Sequence, residues 1–159
     1  MILQKFPMTA LGLKRLEEEF HKLKDIERPE VIRAIAEARS HGDLSENAEY
    51  EAARERQSFI EGRIMELEKI IGAAQVIDPA SLSGNNVKFG AKVVLVDEET
   101  DKEFSYQIVG VHEADIKLGL LSISSPLAKA LIGKEKGSTV SVPAPGGDRT
   151  YEILDIIYG

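Results

Sequence analysis

Cysteine and tryptophan are both absent from this chain, and aromatic residues make up only 6% of it. Without cysteine there is no disulfide framework, no thiolate metal site and no Cys nucleophile. The three histidines, His21, His41 and His112, lie far apart in sequence with no second ligand at metal spacing, which argues against a zinc centre. Long apolar runs are missing too. Nothing approaches the roughly 20 apolar residues that cross a bilayer, and the start, Met1-Ile2-Leu3-Gln4-Lys5-Phe6-Pro7, lacks the apolar stretch of a secretory signal. A soluble, cytoplasmic protein is expected. Positive charge is in deficit: the formal charge is −7 and the pI about 5.1. Wrapping free DNA or RNA needs a net basic surface to displace counterions, so any nucleic-acid contact is expected to be local or delivered through a partner. No Walker, Rossmann or kinase pattern is present, and Gly146-Gly147 is a turn signal too short for a phosphate loop.

What is present changes character near residue 76. The 159 residues suffice for one ordinary domain or two small ones. Before the change, Leu, Ile, Ala, Glu, Lys and Arg dominate; after it come alternating Val/Ile runs and clustered turn residues. The expected division is a helical segment over 1–76, a linker over 77–82 and a β-rich domain over 83–159. Thr9 is a good N-cap for a first helix whose Leu13, Leu16, Phe20 and Leu23 form a coiled-coil seam. Pro29 should kink or break it near Asp25 to Arg28, with Ile32, Ile35 and Ala36 resuming the apolar face before Ser40-His41-Gly42 ends it. A second helix over 45–74 carries Ile60, Ile64, Leu67, Ile71 and Ala74 at matching spacing, so an antiparallel hairpin with arms on the order of 45 Å follows. Ala34 and Ala38 against Ala48, Ala52 and Ala53 should make it narrow near its turn. Downstream, strands are expected over 88–96, 104–111, 139–142 and 150–157, with a short helix over 126–131. The fold class is therefore α+β: an antiparallel helical hairpin, then a small antiparallel sheet with one helix.

The turn between the helices reads Gly42-Asp43-Leu44-Ser45-Glu46-Asn47-Ala48-Glu49-Tyr50. Asp43 followed three residues later by Glu46 is, in its ordinary reading, a capping box in which both carboxylates serve free helical N–H groups. So long a support for a simple turn points instead to carboxylates displayed at a distance. Mg²⁺ prefers oxygen ligands and keeps several waters, so two carboxylates alone bind it weakly. They could complete a site that another macromolecule half provides. Arg33, Arg39, Arg54 and Arg56 lie within about three helical turns of the tip and could touch phosphates, or could be solvated partners of Glu37, Glu51 and Glu55. Tyr50 could stack on a base or pack against the turn. Ser124-Ser125-Pro126 opens a short helix, either as a plain cap or as part of a docking loop.

Taken together, Arg28-Pro29-Glu30, the run from Ala34 to Arg39, His41 to Tyr50, Ala73 to Asp78, and Ser125-Pro126 with Leu131 to Lys134 resemble the Gre family of bacterial transcript cleavage factors, GreA-type members in particular. The likeness covers nearly the whole chain. It implies an FKBP-like C-terminal domain that docks at the rim of the secondary channel of RNA polymerase, while the coiled coil enters the channel. It further implies that the tip stimulates the polymerase to hydrolyse the extruded 3′ end of a backtracked transcript. Asp43 and Glu46 correspond to the family's acidic pair and would position a Mg²⁺ shared with the polymerase active centre, none being bound tightly by the chain alone. Arg39, Arg54 and Arg56, with Tyr50, would face the RNA, and Ser124, Ser125 and Pro126 fall at the polymerase-docking loop. The factor would be no free-standing enzyme, and a monomer is expected.

Two other classes compete. A non-cleaving regulator could enter the same channel, although such relatives should differ at the tip acids, and Asp43 and Glu46 are both present. A peptidyl-prolyl isomerase would need an aromatic-lined pocket, for which this chain offers little.

Overall fold

The computed structural model describes residues 5–41, 47–78 and 85–158. Its elements run β1 (Phe6–Met8), α1 (Ala10–Lys22), a π-helical turn (Leu23–Glu27), α2 (Arg28–His41), α3 (Asn47–Gly72), β2 (Ala74–Val76), β3 (Lys92–Asp97), β4 (Glu103–Val109), a 3₁₀ turn (Ile116–Leu118), β5 (Leu120–Ser122), α4 (Pro126–Leu131), β6 (Thr139–Val142) and β7 (Arg149–Ile157). They divide into two units, one of Lys14–Ala73 and one of Met1–Leu13 with Ala74–Gly159. This division differs from the one by composition because β1 pairs in parallel with β2, Phe6 opposite Ala74 and Met8 opposite Val76. Residues just before and just after the hairpin thus go with the sheet.

In the helical unit the arms are antiparallel. Arg28 meets Glu61, Arg56 meets Glu27 and Glu30, and Arg39 meets Tyr50, so rising numbers on one arm oppose falling numbers on the other. Leu16, Leu23, Val31 and Ala38 of the first arm and Ile60, Ile64, Leu67 and Ile70 of the second are buried. Leu16 to Leu23 is one heptad, and so is Val31 to Ala38, but Leu23 to Val31 is eight residues. The π turn absorbs the extra one: the Arg28 N–H bonds to Leu23 O, five residues back. Pro29, which has no N–H, follows at once without ending the helix. This corrects the expected seam. Ile32 is 50% exposed and Ala36 is also outside, since the turn brings Val31 and Ala38 into phase instead. Toward the tip Ala34 and Ala53 are half-buried, but Ala48 and Ala52 are exposed. Ala74, expected as the last seam residue of the second helix, begins β2.

The sheet-bearing unit has the strand order β5-β4-β3-β7-β6. It is antiparallel except at its edge, where β5 runs parallel to β4. Alternation decides the faces: Val93 and Leu95 of β3 are fully buried and meet Ile108, Val140 and Ile153, while Ala128 and Leu131 of α4 close the same core. The three-residue strands β1, β2 and β5 have no counterpart in the expected elements, whereas α4 and β6 fall where expected.

Two carboxylates organise this unit. Asp97, 2% exposed at the end of β3, accepts the N–H of Glu99 at 2.9 Å and that of Thr100 at 3.4 Å, and Arg149 Nη1 at 2.9 Å clips it to β7. Those backbone donors, with the Arg149 guanidinium, hold its carboxyl below the usual carboxylate range against the opposing effect of burial. Glu113 accepts the Thr9 N–H at 2.9 Å, the Thr9 hydroxyl, and the Gly110 N–H at 3.1 Å. Thr9 in turn caps α1, its Oγ1 accepting the Gly12 N–H at 3.0 Å. The approach is close: a Cβ at Gly12 would stand 2.1 Å from Glu113 Oε1, and one at Gly110 would stand 2.1 Å from Pro7 O.

Leu67 is fully buried in the seam, so Leu67→Ala should lower stability by about 2–5 kcal/mol, read as a lower urea midpoint of the helical circular-dichroism signal. Asp97 has a depressed folded-state pKa, so its contribution is present above the ordinary carboxylate pKa and is lost as pH falls through the folded value. Melting curves of wild type and Asp97→Asn should therefore lie well apart at neutral pH and converge in acid; a gap that persists undiminished at low pH would contradict this.

Candidate functional site

Asp43 and Glu46 lie outside the described residues. The five residues 42–46 stand between α2, which ends at His41, and α3, which begins at Asn47. Among the described residues, no group of three or more His, Asp or Glu is placed to hold a metal ion.

Beside that segment the two arms bring three of the expected residues together. Tyr50 sits in the first turn of α3, Arg54 one turn further along the same face, and Arg39 in the last turn of α2. The Arg39 guanidinium carbon is 5.6 Å from the centroid of the Tyr50 ring and that of Arg54 is 5.8 Å away, both within cation–π range. Arg54 Nη1 also donates to the phenol oxygen at 3.0 Å. That hydrogen bond, joined by the charges of both arginines, pulls the phenol below its ordinary pKa despite partial burial. Ile32, Ile35 and Gln57 line a cleft of about 220 Å³ with the same two arginines. Ile32, which the π turn leaves out of the seam, is thus one wall of this cleft.

Arg56 is not part of the group. Its Nη2 lies 3.5 Å from Glu27 and 3.8 Å from Glu30 on the opposite arm, ion pairs that the sequence reading, in which it faces RNA or pairs with a nearby glutamate, does not include. Two further cross-arm pairs escaped that reading. Arg28 grips both carboxylate oxygens of Glu61, and Arg63 holds Glu19 through two bonds of 2.7 and 2.8 Å while also reaching Glu66. A signal existed for Arg28: once the extra residue is absorbed, it falls in phase with the seam, three positions before Val31, where a charge needs a partner across the hairpin.

At the start of α4, Ser125 acts as the N-cap, its Oγ accepting the Ala128 N–H at 3.2 Å, and Pro126 occupies the first helical position. Ser122 Oγ and Ser124 Oγ are 2.8 Å apart, and the Ser124 N–H bonds to Ser122 Oγ at 3.2 Å. Ser124 and Pro126 are exposed and Ser125 is half-buried. The geometry gives this loop its capping role and leaves Ser124 and Pro126 facing solvent.

Comparison with known proteins matches residues 6–76 to the family described as transcription elongation factor, N-terminal, and residues 82–158 to transcription elongation factor GreA/GreB, C-terminal. The transcription elongation factor GreA of Acidiphilium cryptum is 73% identical over 157 residues, covering 99% of this chain and 100% of that protein. That of Ruegeria pomeroyi is 62% identical over 98% of this chain and 99% of its own length. Among solved structures, GreA factor homolog 1 of Thermus thermophilus is 27% identical, covers 97% of this chain and 99% of that one, and has a TM-score of 0.45.

Loss of the Ser125 hydroxyl leaves a helical N–H without its cap, so Ser125→Ala should destabilise the sheet-bearing unit by about 1 kcal/mol, measured by thermal unfolding. Ser124→Ala, which removes an exposed hydroxyl away from the core, should change the melting curve by much less.

Proposed function

The chain belongs to the GreA/GreB family of transcription elongation factors, and on that premise we propose that it rescues backtracked RNA polymerase by stimulating cleavage of the nascent transcript. It acts as an accessory factor in the cytoplasm, as a monomer, with RNA polymerase and the 3′ end of the backtracked RNA as its partners. What carries the reading, beyond family membership, is the grouping of Arg39 and Arg54 at the end of a two-armed support, next in sequence to Asp43 and Glu46.

The donor chemistry fits this division of labour. Asp43 and Glu46 offer the hard oxygen ligands that Mg²⁺ prefers, but they are too few to retain it without further ligands from the polymerase. When bound between the two macromolecules, the ion would polarise water and offset charge at the scissile phosphate. Asp43 and Glu46 would hold that ion and orient the attacking water. Arg39 and Arg54 receive phosphates of the extruded strand, as guanidinium groups do well. The Arg56 side chain, engaged by Glu27 and Glu30, stiffens the hairpin and contributes less to RNA contact. The exposed Ser124 and Pro126, flanking the Ser125 cap of α4, dock at the rim of the polymerase channel. A chain of net charge −7 confines attraction for RNA to this one place, so that it does not coat nucleic acid elsewhere.

The decisive experiment uses halted bacterial elongation complexes with backtracked, 5′-labelled RNA and Mg²⁺. The wild-type chain should shorten the transcript and restore extension, and Asp43→Ala or Glu46→Ala should lower the cleavage rate by roughly 10²-fold or more while polymerase binding persists. Tight binding without any shortening would make the chain a non-cleaving channel regulator instead.

A further inference from the structure

Tyr50 has a position that neither base stacking nor simple packing explains. It is the one tyrosine of the Lys14–Ala73 unit, and guanidinium groups from both arms of the hairpin lie within about 6 Å of its ring. Arg54 adds a hydrogen bond to the phenol oxygen. Arginines are long and flexible, and two of them brought together repel. An aromatic ring with its negative faces and an oxygen acceptor offsets that repulsion without neutralising either charge, as a carboxylate would. The contrast is on the same hairpin: among the described residues, Arg28, Arg56 and Arg63 are each paired with glutamates, whereas Arg39 and Arg54 converge on a neutral phenol. A phenol leaves their charge available to an anion, and both line a cleft with Ile32, Ile35 and Gln57.

We propose that Tyr50 is a positioning residue, whose ring and phenol oxygen hold the Arg39 and Arg54 guanidinium groups together as a paired receiver for RNA backbone phosphates. Its own ring is occupied by those cations and does not stack on a base. This rests on the reading that Arg39 and Arg54 face the extruded RNA, and it assigns Tyr50 a role that acts through them.

Two experiments test it. The first needs no polymerase: tyrosinate absorbance is followed against pH in wild type, Arg54→Gln and Tyr50→Phe. One transition, missing in Tyr50→Phe, should move to higher pH in Arg54→Gln; a transition that stays in place overturns the proposal. The second is the cleavage assay. Tyr50→Leu should slow cleavage roughly tenfold, whereas Tyr50→Phe, which keeps the ring face, should recover most of the rate. Circular dichroism checks that both variants keep the hairpin. Added to an Arg39→Gln/Arg54→Gln double variant, Tyr50→Leu should cost nothing more. A further loss of the same size would mean that the ring contacts RNA directly and would overturn the proposal. If the wild type shortens no transcript, the function proposed above fails, and the absorbance titration alone still decides whether Tyr50 holds the arginines.

Discussion

A proline inside a continuous helical arm imposes the condition that the hairpin is built around. Pro29 cannot donate a hydrogen bond, and its ring would press on the carbonyl four residues back in a regular α-helix. The Leu23–Glu27 turn widens the helix there, passing the Arg28 N–H to Leu23 O and taking up one residue. Everything beyond depends on that residue. Val31 and Ala38 reach the seam, Arg28 falls where Glu61 can hold it, Ile32 turns outward, and Arg39 arrives beside Tyr50. A regular helix of the same sequence would rotate all of these by roughly 100° about its axis.

The arms use their charges in two ways. Along most of their length arginines are paired with glutamates of the other arm, a network in which bidentate geometry and several partners do more than isolated surface pairs can. The pairs made by Arg28 and Arg56 lie where the buried seam thins to Arg28 and Gln57, so they supplement apolar burial where it is weakest. Near Tyr50 the pattern changes: among the described residues, Arg39 and Arg54 meet a phenol where Arg28, Arg56 and Arg63 meet glutamates.

How much of this was readable in the sequence depended on period and length. The α3 seam through Ile60, Ile64 and Leu67, the helix α4 with Ser125 and Pro126 at its start, and the strand β6 all follow from spacing and capping chemistry. The three-residue strands β1, β2 and β5 are too short to show alternation, and β1 exists only because a segment far along the chain lies beside it. Ile32 was mistaken for Val31 because an apolar pattern interrupted by proline does not say how many residues the interruption absorbs. At the site, the acidic pair and Arg39, Arg54 and Tyr50 stood out as residue types at a tip. Which arginines are paired across the hairpin, Arg56 among them, depends on the register, which spacing along one arm does not give.

The Glu113 carboxylate, which gathers the N–H groups of Thr9 and Gly110, has a consequence for synthesis. Thr9 and Glu113 are 104 residues apart, so at ribosomal speeds the partner of Thr9 is made on the order of ten seconds after it. The hairpin, whose contacts are local by comparison, can close during that interval. β1 and the cap of α1 are therefore made well before the segments that fix them, and must wait, unpaired, for the chain behind them.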